Sequence, residues 1–150
     1  NGGEMDAAFQ YVEQNGIELE DTYPYKGKTG LLCKYNAKNV VFKNKNHVDV
    51  KPNSVEDLMA AVAQQPVSVA VEADQPSWQF YSGGVLTGGC GQKLDHGVLV
   101  VGYDTDSKGR DFWIVKNSWG NEWGIQGYIW IARSDANLCG VLSEPSYPTL

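Results

Sequence analysis

Two polar residues stand at the ends of apolar segments, in positions where their side chains could act together. His96 enters a valine-rich run, and Asn117 follows a second strand-like run. The side-chain oxygen of an asparagine can accept a hydrogen bond from one imidazole nitrogen, which fixes the tautomer and leaves the other nitrogen facing a nucleophile. Trp119 and Trp123 follow closely and would keep water from competing for that bond. The pattern indicates an oriented acid–base histidine.

Each of these residues also has an ordinary structural explanation. A lone histidine at the edge of a core is more often structural than catalytic, and Asn117-Ser118 alone is typical of a β-turn. Neither explanation accounts for a histidine at a strand entry together with an asparagine at a strand exit flanked by indoles. The other histidine, His47, lies among polar residues at a loop-to-strand junction and is interpreted as a solvated or structural side chain.

Hydrophobic periodicity predicts the elements that must position these residues. Apolar residues three and four apart predict a short helix after Gly3 that stops at Gly16. An irregular segment packed by tyrosines follows, and then a strand over 47–50. Ser54 is the predicted N-cap of a second helix. Further strands are predicted over 67–72, 97–104, 111–116 and 127–133.

Composition limits the class of protein. The chain has 150 residues, of which 42% are hydrophobic, and this is enough for one ordinary domain with a core. The net charge of -6 argues against a nucleic-acid partner, because nucleic-acid binders need clustered Lys and Arg. Long apolar runs and the basic and apolar blocks of a secretory signal are both missing from the sequence, so we expect no membrane span, no targeting peptide and no membrane partner.

The cysteines argue against a metal site and for an oxidised protein. Cys33, Cys90 and Cys139 form no C-x-x-C pair and have no histidine at ligand spacing, so no metal and no cofactor are predicted. The odd number fits one internal disulfide and one cysteine whose partner lies outside the chain. Such a pattern is typical of a secreted or lysosomal-type protein.

Several motifs occur in a fixed order over essentially the whole chain, and together they resemble the papain-like cysteine proteases, with the cathepsin L-like branch as the most similar. The stretches that carry this resemblance are Asn1-Gly2-Gly3 with Met5, Asp6, Ala8 and Phe9, Asp21-Thr22-Tyr23-Pro24-Tyr25, Pro66-Val67-Ser68-Val69-Ala70, Phe80-Tyr81-Ser82-Gly83-Gly84-Val85, Leu94-Asp95-His96-Gly97-Val98, Val115-Lys116-Asn117-Ser118-Trp119-Gly120, Trp123-Gly124 with Gly127-Tyr128, and Ser146-Tyr147-Pro148.

The resemblance implies an α+β fold with two lobes. Residues 1–46 would form the C-terminal part of the left, helical lobe. Residues 47–150 would form the right lobe, an antiparallel β-barrel, with the last residues crossing back to the left lobe. The active site of this family lies in the cleft between the lobes.

The resemblance also implies a thiol protease, an endopeptidase that hydrolyses peptide bonds through a Cys-His-Asn arrangement. His96 would pair with the cysteine thiolate and Asn117 would orient His96. Trp119 would shield the bond between them, and Trp123 would pack nearby. The nucleophile of the family lies near the mature N-terminus, in a context that none of the three cysteines matches. We therefore expect this chain to be the C-terminal part of a longer enzyme and to be inactive alone.

Other residues take their expected roles from the same resemblance. Cys90 and Cys139 would form the disulfide of the barrel lobe, and Cys33 would pair with a cysteine in the missing N-terminal part. Gly2 and Gly3 would offer backbone hydrogen bonds to an extended peptide. The residues expected to bind substrate side chains, chiefly in an apolar pocket for the residue two positions before the scissile bond, are Met5, Ala70, Leu94, Asp95, Gly97 and Glu144.

Two interpretations of Glu144 stay open. Its carboxylate could point into the pocket and pair with a basic substrate side chain, which would allow both hydrophobic and basic residues. It could equally be a solvated surface carboxylate, which is the usual state of glutamate.

The expected partners are peptide or protein substrates, the missing N-terminal portion of the same enzyme, and a propeptide or cystatin-like inhibitors. The expected location is lysosomal, vacuolar or extracellular. One alternative is a catalytically inactive homologue that acts as a binding or structural protein. A second is a stand-alone binding module, which is disfavoured because the first helix and the loop around Cys33 would lose their packing partners.

Overall fold

The structure, a computed structural model, describes residues 2–150, so Asn1 of the Asn-Gly-Gly motif lies outside the described residues. The helices are α1 (Met5–Asn15), α2 (Val55–Val62) and α3 (Pro76–Gln79), with short 3-10 helices at Ala37–Asn39 and Leu138–Gly140. The strands are β1 (Ile17–Glu18), β2 (Val40–Phe42), β3 (Asn46–Asp49), β4 (Val67–Val71), β5 (Val85–Leu86), β6 (His96–Thr105), β7 (Asp111–Lys116), β8 (Tyr128–Ala132) and β9 (Ser146–Thr149).

The chain divides into two compact units. The first unit comprises residues 1–48 and 148–150, and the second unit comprises residues 49–147. The chain passes from one unit to the other within β3 and within β9.

The first unit contains α1 and the antiparallel pair β1–β2. The predicted end of α1 is confirmed: Gly16 has a positive φ of 81°, which glycine tolerates best, and donates its N–H to the carbonyl of Val12. Tyr35 donates its hydroxyl to the Asn15 carbonyl at 2.7 Å. Tyr35 also packs edge-on against Tyr11 at 6.5 Å, but residues 19–34 are all exposed and Tyr25 is 85% exposed, so tyrosines do not pack most of this segment as predicted. The segment also contains two short strands, β1 and β2, that were not predicted.

A seven-stranded sheet contributes most of the buried core of the second unit. The strand order is β3-β9-β4-β6-β7-β8-β5. The predicted N-cap is confirmed, since the Ser54 hydroxyl accepts the N–H of Asp57. Burying large apolar side chains stabilises this unit by about 1.5–3 kcal/mol each. The largest fully buried side chains are Trp78, Trp113, Leu58, Ile129, Ile131, Leu142, Val67, Val69, Val71, Val100, Val115 and Val141.

The sheet differs in one respect from the predicted antiparallel barrel. Strands β4, β6, β7 and β8 pair antiparallel in succession, as expected. At the edge, β5 has only two residues and pairs parallel with β8. So short a parallel edge strand leaves the sheet open rather than closed among the described residues.

No helix in residues 2–150 has the length and apolar character that crossing a bilayer requires.

Candidate active site

His96 and Asn117 come from neighbouring strands at one end of the sheet. His96 is the first residue of β6, and Asn117 directly follows β7. Because β6 and β7 are antiparallel, the start of one strand and the end of the other lie side by side. Nε2 of His96 lies 2.8 Å from Oδ1 of Asn117, which is a hydrogen bond.

The surroundings fix the direction of this bond. Oδ1 of Asn117 also accepts the backbone N–H of Ser118 at 2.8 Å. A backbone N–H can only donate, so the atom that faces it must be the amide oxygen, and Nε2 of His96 must then be a donor. Nδ1 of the neutral ring therefore carries the lone pair and can face a second partner.

Asn117 is held rigidly. Its backbone N–H donates to the carbonyl of Gly127 at 3.0 Å, which extends the β7–β8 pairing by one residue. Only 7% of the residue is exposed, so water has little access to the bond with His96. The amide nitrogen Nδ2 is buried and has no hydrogen-bond partner in the described part of the chain. Burying such a group costs about 1–3 kcal/mol.

An indole covers the imidazole. The ring of Trp119 lies 5.2 Å from the ring of His96, tilted by 32°. Trp119 itself is 39% exposed, so its indole lies against the imidazole and also faces solvent. Trp123 packs edge-on against Trp119 at 5.3 Å and donates its indole N–H to the carbonyl of Gln79 at 3.2 Å.

Two further aromatic residues support this cluster, and the sequence analysis assigned neither of them. Trp78 is fully buried and meets the His96 ring edge-on at 6.5 Å, while its own ring stacks on Trp123 at 5.9 Å. Tyr81 lies 5.8 Å from Trp123, and burial raises the pKa of its phenol above the ordinary value. No helical period in the sequence marks them, because α3 covers only Pro76–Gln79 and Tyr81 lies beyond its end.

Asp95 anchors the start of β6. Its carboxylate accepts the backbone N–H of Ala73 at 2.8 Å, and its own N–H donates to the carbonyl of Val71 at 2.9 Å. These two bonds hold the backbone just before His96 against the end of β4. Its predicted part in substrate binding stays a prediction.

The other predicted substrate-binding residues of the second unit lie on or near the same strands. Ala70 of β4 pairs directly with Gly97 of β6. Leu94 lies against Gly140, where any added Cβ would collide with its side chain. Glu144 is exposed.

Gly2, Gly3 and Met5 belong to the first unit. Both glycines are exposed and have open space where a Cβ would be, so their backbones are accessible. Met5 begins α1 and is half-buried.

The three cysteines have different states. Cys90 and Cys139 form a disulfide, and Cys33 is a free, exposed thiol. A disulfide sulfur is no thiolate, so neither Cys90 nor Cys139 can serve as a nucleophile in this state.

Comparison with known proteins identifies the family. A family model described as papain family cysteine protease matches residues 1–149. Thiol protease SEN102 of Hemerocallis sp. is 48% identical over 151 residues, covering 99% of this chain and 42% of that protein. Procathepsin L of Mus musculus is 49% identical over 157 residues, covering 100% of this chain and 46% of that protein. The chain thus spans less than half the length of these two curated relatives.

Solved structures give the same result. The bromelain protease of Ananas comosus, in complex with the E64 inhibitor, superposes with a TM-score of 0.91 at 40% identity and covers 99% of this chain and 70% of that one. Digestive procathepsin L 3 of the Tenebrio molitor larval midgut gives a TM-score of 0.93 at 42% identity, over 99% of this chain and 49% of that one. These matches confirm the predicted papain-like α+β fold, and the chain belongs to the papain family of cysteine proteases.

Proposed function

We propose that this chain supplies the histidine and the asparagine of a Cys-His-Asn endopeptidase. The observation that carries the proposal is the hydrogen bond from His96 to Asn117 beneath the indole of Trp119. It orients an imidazole with Nε2 occupied and Nδ1 available, as a histidine that exchanges a proton with a thiol requires.

The nucleophile would come from a part of the protein outside these 150 residues. Cys90 and Cys139 are joined to each other. Cys33 lies between Leu32 and Lys34, a context that differs from that of the family's nucleophile. The length of the relatives leaves room for a further segment.

The reaction would proceed in two balanced steps. The thiolate attacks the carbonyl carbon of the peptide, and the protonated His96 gives its proton to the leaving amine as the C–N bond breaks. Water then gives a proton to His96 and attacks the thioester, which releases the acid and restores the thiolate and the protonated ring. Asn117 keeps the imidazole in place during both transfers.

The proposed substrate is an extended peptide with a bulky hydrophobic residue two positions before the scissile bond. Ala70, Leu94 and Gly97 would contribute apolar surface from the second unit. Because Glu144 is exposed and free to reorient, its carboxylate could also pair with a basic side chain. Cleavage of matched substrates with Leu or Arg at that position, by wild type and Glu144→Ala, tests this. An unchanged Arg-to-Leu ratio in the variant would remove the basic preference.

The disulfide supports an oxidising location, which would be lysosomal, vacuolar or extracellular. The Tenebrio relative was solved as a proenzyme, and we extend propeptide binding to this chain by analogy, with cystatin-like inhibitors as further partners. The two units, 1–48 with 148–150 and 49–147, support the proposed division into helical and sheet lobes.

Active-site titration tests the proposal in the protein that carries this chain. A thiol-reactive peptide should label one cysteine outside these 150 residues, and His96→Ala should suppress both labelling and peptide hydrolysis. The alternative, an inactive homologue, predicts no labelling and no hydrolysis in the wild type. Labelling that is insensitive to His96→Ala would refute the role of His96.

A further inference from the structure

Asp6 and His47 form a second pair of chemically useful side chains, within the first unit. Asp6 lies in the first turn of α1, and His47 lies in β3. Phe9, three residues after Asp6 and therefore on the same helix face, packs against the ring of His47 at 6.0 Å. This packing brings the carboxylate of Asp6 beside the imidazole, and their ligand atoms lie within 4.8 Å of each other.

The pair lacks the bonds that a purely structural pair would form. Across residues 2–150, neither a hydrogen bond nor an ion pair joins Asp6 to His47. Nδ1 of His47 is buried and has no hydrogen-bond partner in that part of the chain. An unpaired buried nitrogen costs about 1–3 kcal/mol, and a bound cation would satisfy it.

We propose that Asp6 and His47 bind a zinc ion, with water completing the coordination shell. Imidazole nitrogen and carboxylate oxygen are both ordinary zinc ligands, at about 2.0–2.2 Å from the metal. Two such bonds require the ligand atoms to approach to about 3.5 Å, so zinc binding would require the half-buried Asp6 side chain to rotate toward His47. Calcium and magnesium favour shells made of oxygen and would not use the imidazole. The site is independent of the proposed peptidase function.

The cysteine and histidine spacings in the sequence predict no metal site, because such spacings mark only ligands that are close along the chain. Here the two ligands come from a helix and a strand that are distant in sequence. Only tertiary structure brings them together.

Zinc titration by calorimetry tests the site in the full chain, with free thiols alkylated by iodoacetamide so that no cysteine can bind metal. The expected result is one zinc equivalent that excess magnesium does not displace. His47→Phe and Asp6→Asn should each weaken the dissociation constant at least about tenfold. His96→Ala, which removes the other histidine, is the matched control and should keep the site.

Thermal melting shows whether each variant is folded. If His47→Phe does not fold, the zinc affinity of Asp6→Asn alone tests the site. Three results would overturn the proposal. The first is that the wild type binds no zinc with a dissociation constant below about 100 µM, which corresponds to about -5.5 kcal/mol. The second is an equal zinc affinity in wild type and Asp6→Asn, and the third is a loss of binding in His96→Ala only.

Discussion

Replacing Asn117 by alanine should separate catalysis from stability. The substitution removes the acceptor of the 2.8 Å bond from Nε2 of His96 and frees the imidazole to rotate. A hydrogen bond to a charged partner contributes about 1.5–3 kcal/mol. If that contribution is lost from the transition state, kcat/KM falls about 10- to 150-fold.

The stability change should be much smaller. Asn117→Ala leaves the Ser118 N–H without its acceptor, but Ser118 is exposed and water can replace the lost bond. The substitution also removes the buried Nδ2, which has no partner among the described residues. The two effects offset each other, so we expect a change within about 1 kcal/mol, or about 2–4 °C in Tm.

Asn137→Ala is the matched control. Asn137 is buried to a similar degree, with 4% exposed, but its amide bonds to Asn53, Ser143 and Leu142. Its loss leaves the buried Leu142 N–H unpaired, and alanine tolerates its φ of 50° poorly. We expect a loss of about 2 kcal/mol, or about 4–8 °C in Tm, with kcat/KM of the folded protein nearly unchanged.

The measurements are peptide hydrolysis under first-order conditions and thermal melting, both on the protein with its nucleophile present. If Asn117→Ala stays within about twofold of wild type in kcat/KM, its proposed role is wrong. If its loss of activity follows a loss of folded protein, as for Asn137→Ala, the residue is structural.

Three further predictions concern Trp78, the disulfide and the Asp106–Arg110 ion pair. Trp78→Ala should lower kcat more than KM because it removes the buried edge contact to the His96 ring, whereas Trp78→Phe should restore most activity; equal kcat in both variants would contradict a positioning role. Replacing both Cys90 and Cys139 by alanine removes a cross-link with a sequence separation of 49 and should cost about 4 kcal/mol by chain entropy, measured by urea unfolding. Arg110 holds the pKa of the Asp106 carboxyl below its ordinary value. The ionised carboxylate therefore stabilises the folded protein at pH values above that ordinary value, and this contribution is lost as the pH falls through the folded pKa. The Tm difference between wild type and Asp106→Ala should shrink in acid.

The residues of the site were predictable because they stand at strand ends. The predicted strand 97–104 corresponds to His96–Thr105, and the predicted strand 111–116 coincides with Asp111–Lys116. Since the short loop between them favours an antiparallel hairpin, the proximity of His96 and Asn117 follows from sequence.

The supporting residues were not predictable in the same way. Trp78 lies in α3, a helix of four residues that is too short to show a period. Strand β9 contains a proline, which ordinarily argues against a strand. The bond from Ala73 to Asp95 depends on where β4 ends beside β6, and such a register is set by tertiary packing.

A one-residue bulge in β6 decides whether His96 and Asn117 can meet. Leu99 pairs with Lys116, but beyond the bulge Gly102 pairs with Ile114, so one residue of β6 is extra. Directly opposed residues share a face, and a shift of one residue reverses the face. If the pairing of Leu99 with Lys116 is continued by one residue, Asn117 lies on the same face of the sheet as His96. If the pairing of Gly102 with Ile114 were continued instead, Asn117 would lie on the opposite face.

Within the apolar run 98–101 of β6, Val98 and Val100 are buried and Leu99 and Val101 are half-buried, so both faces of the strand are at least partly covered. An alanine inserted between Leu99 and Val100 should turn His96 to the other face and lower kcat/KM at least about 100-fold, which is about 2.7 kcal/mol. An alanine inserted between Lys108 and Gly109, in the turn, changes chain length without reversing that face and should keep activity. A folded Leu99 insertion variant with wild-type activity would show that the face of His96 does not depend on this register.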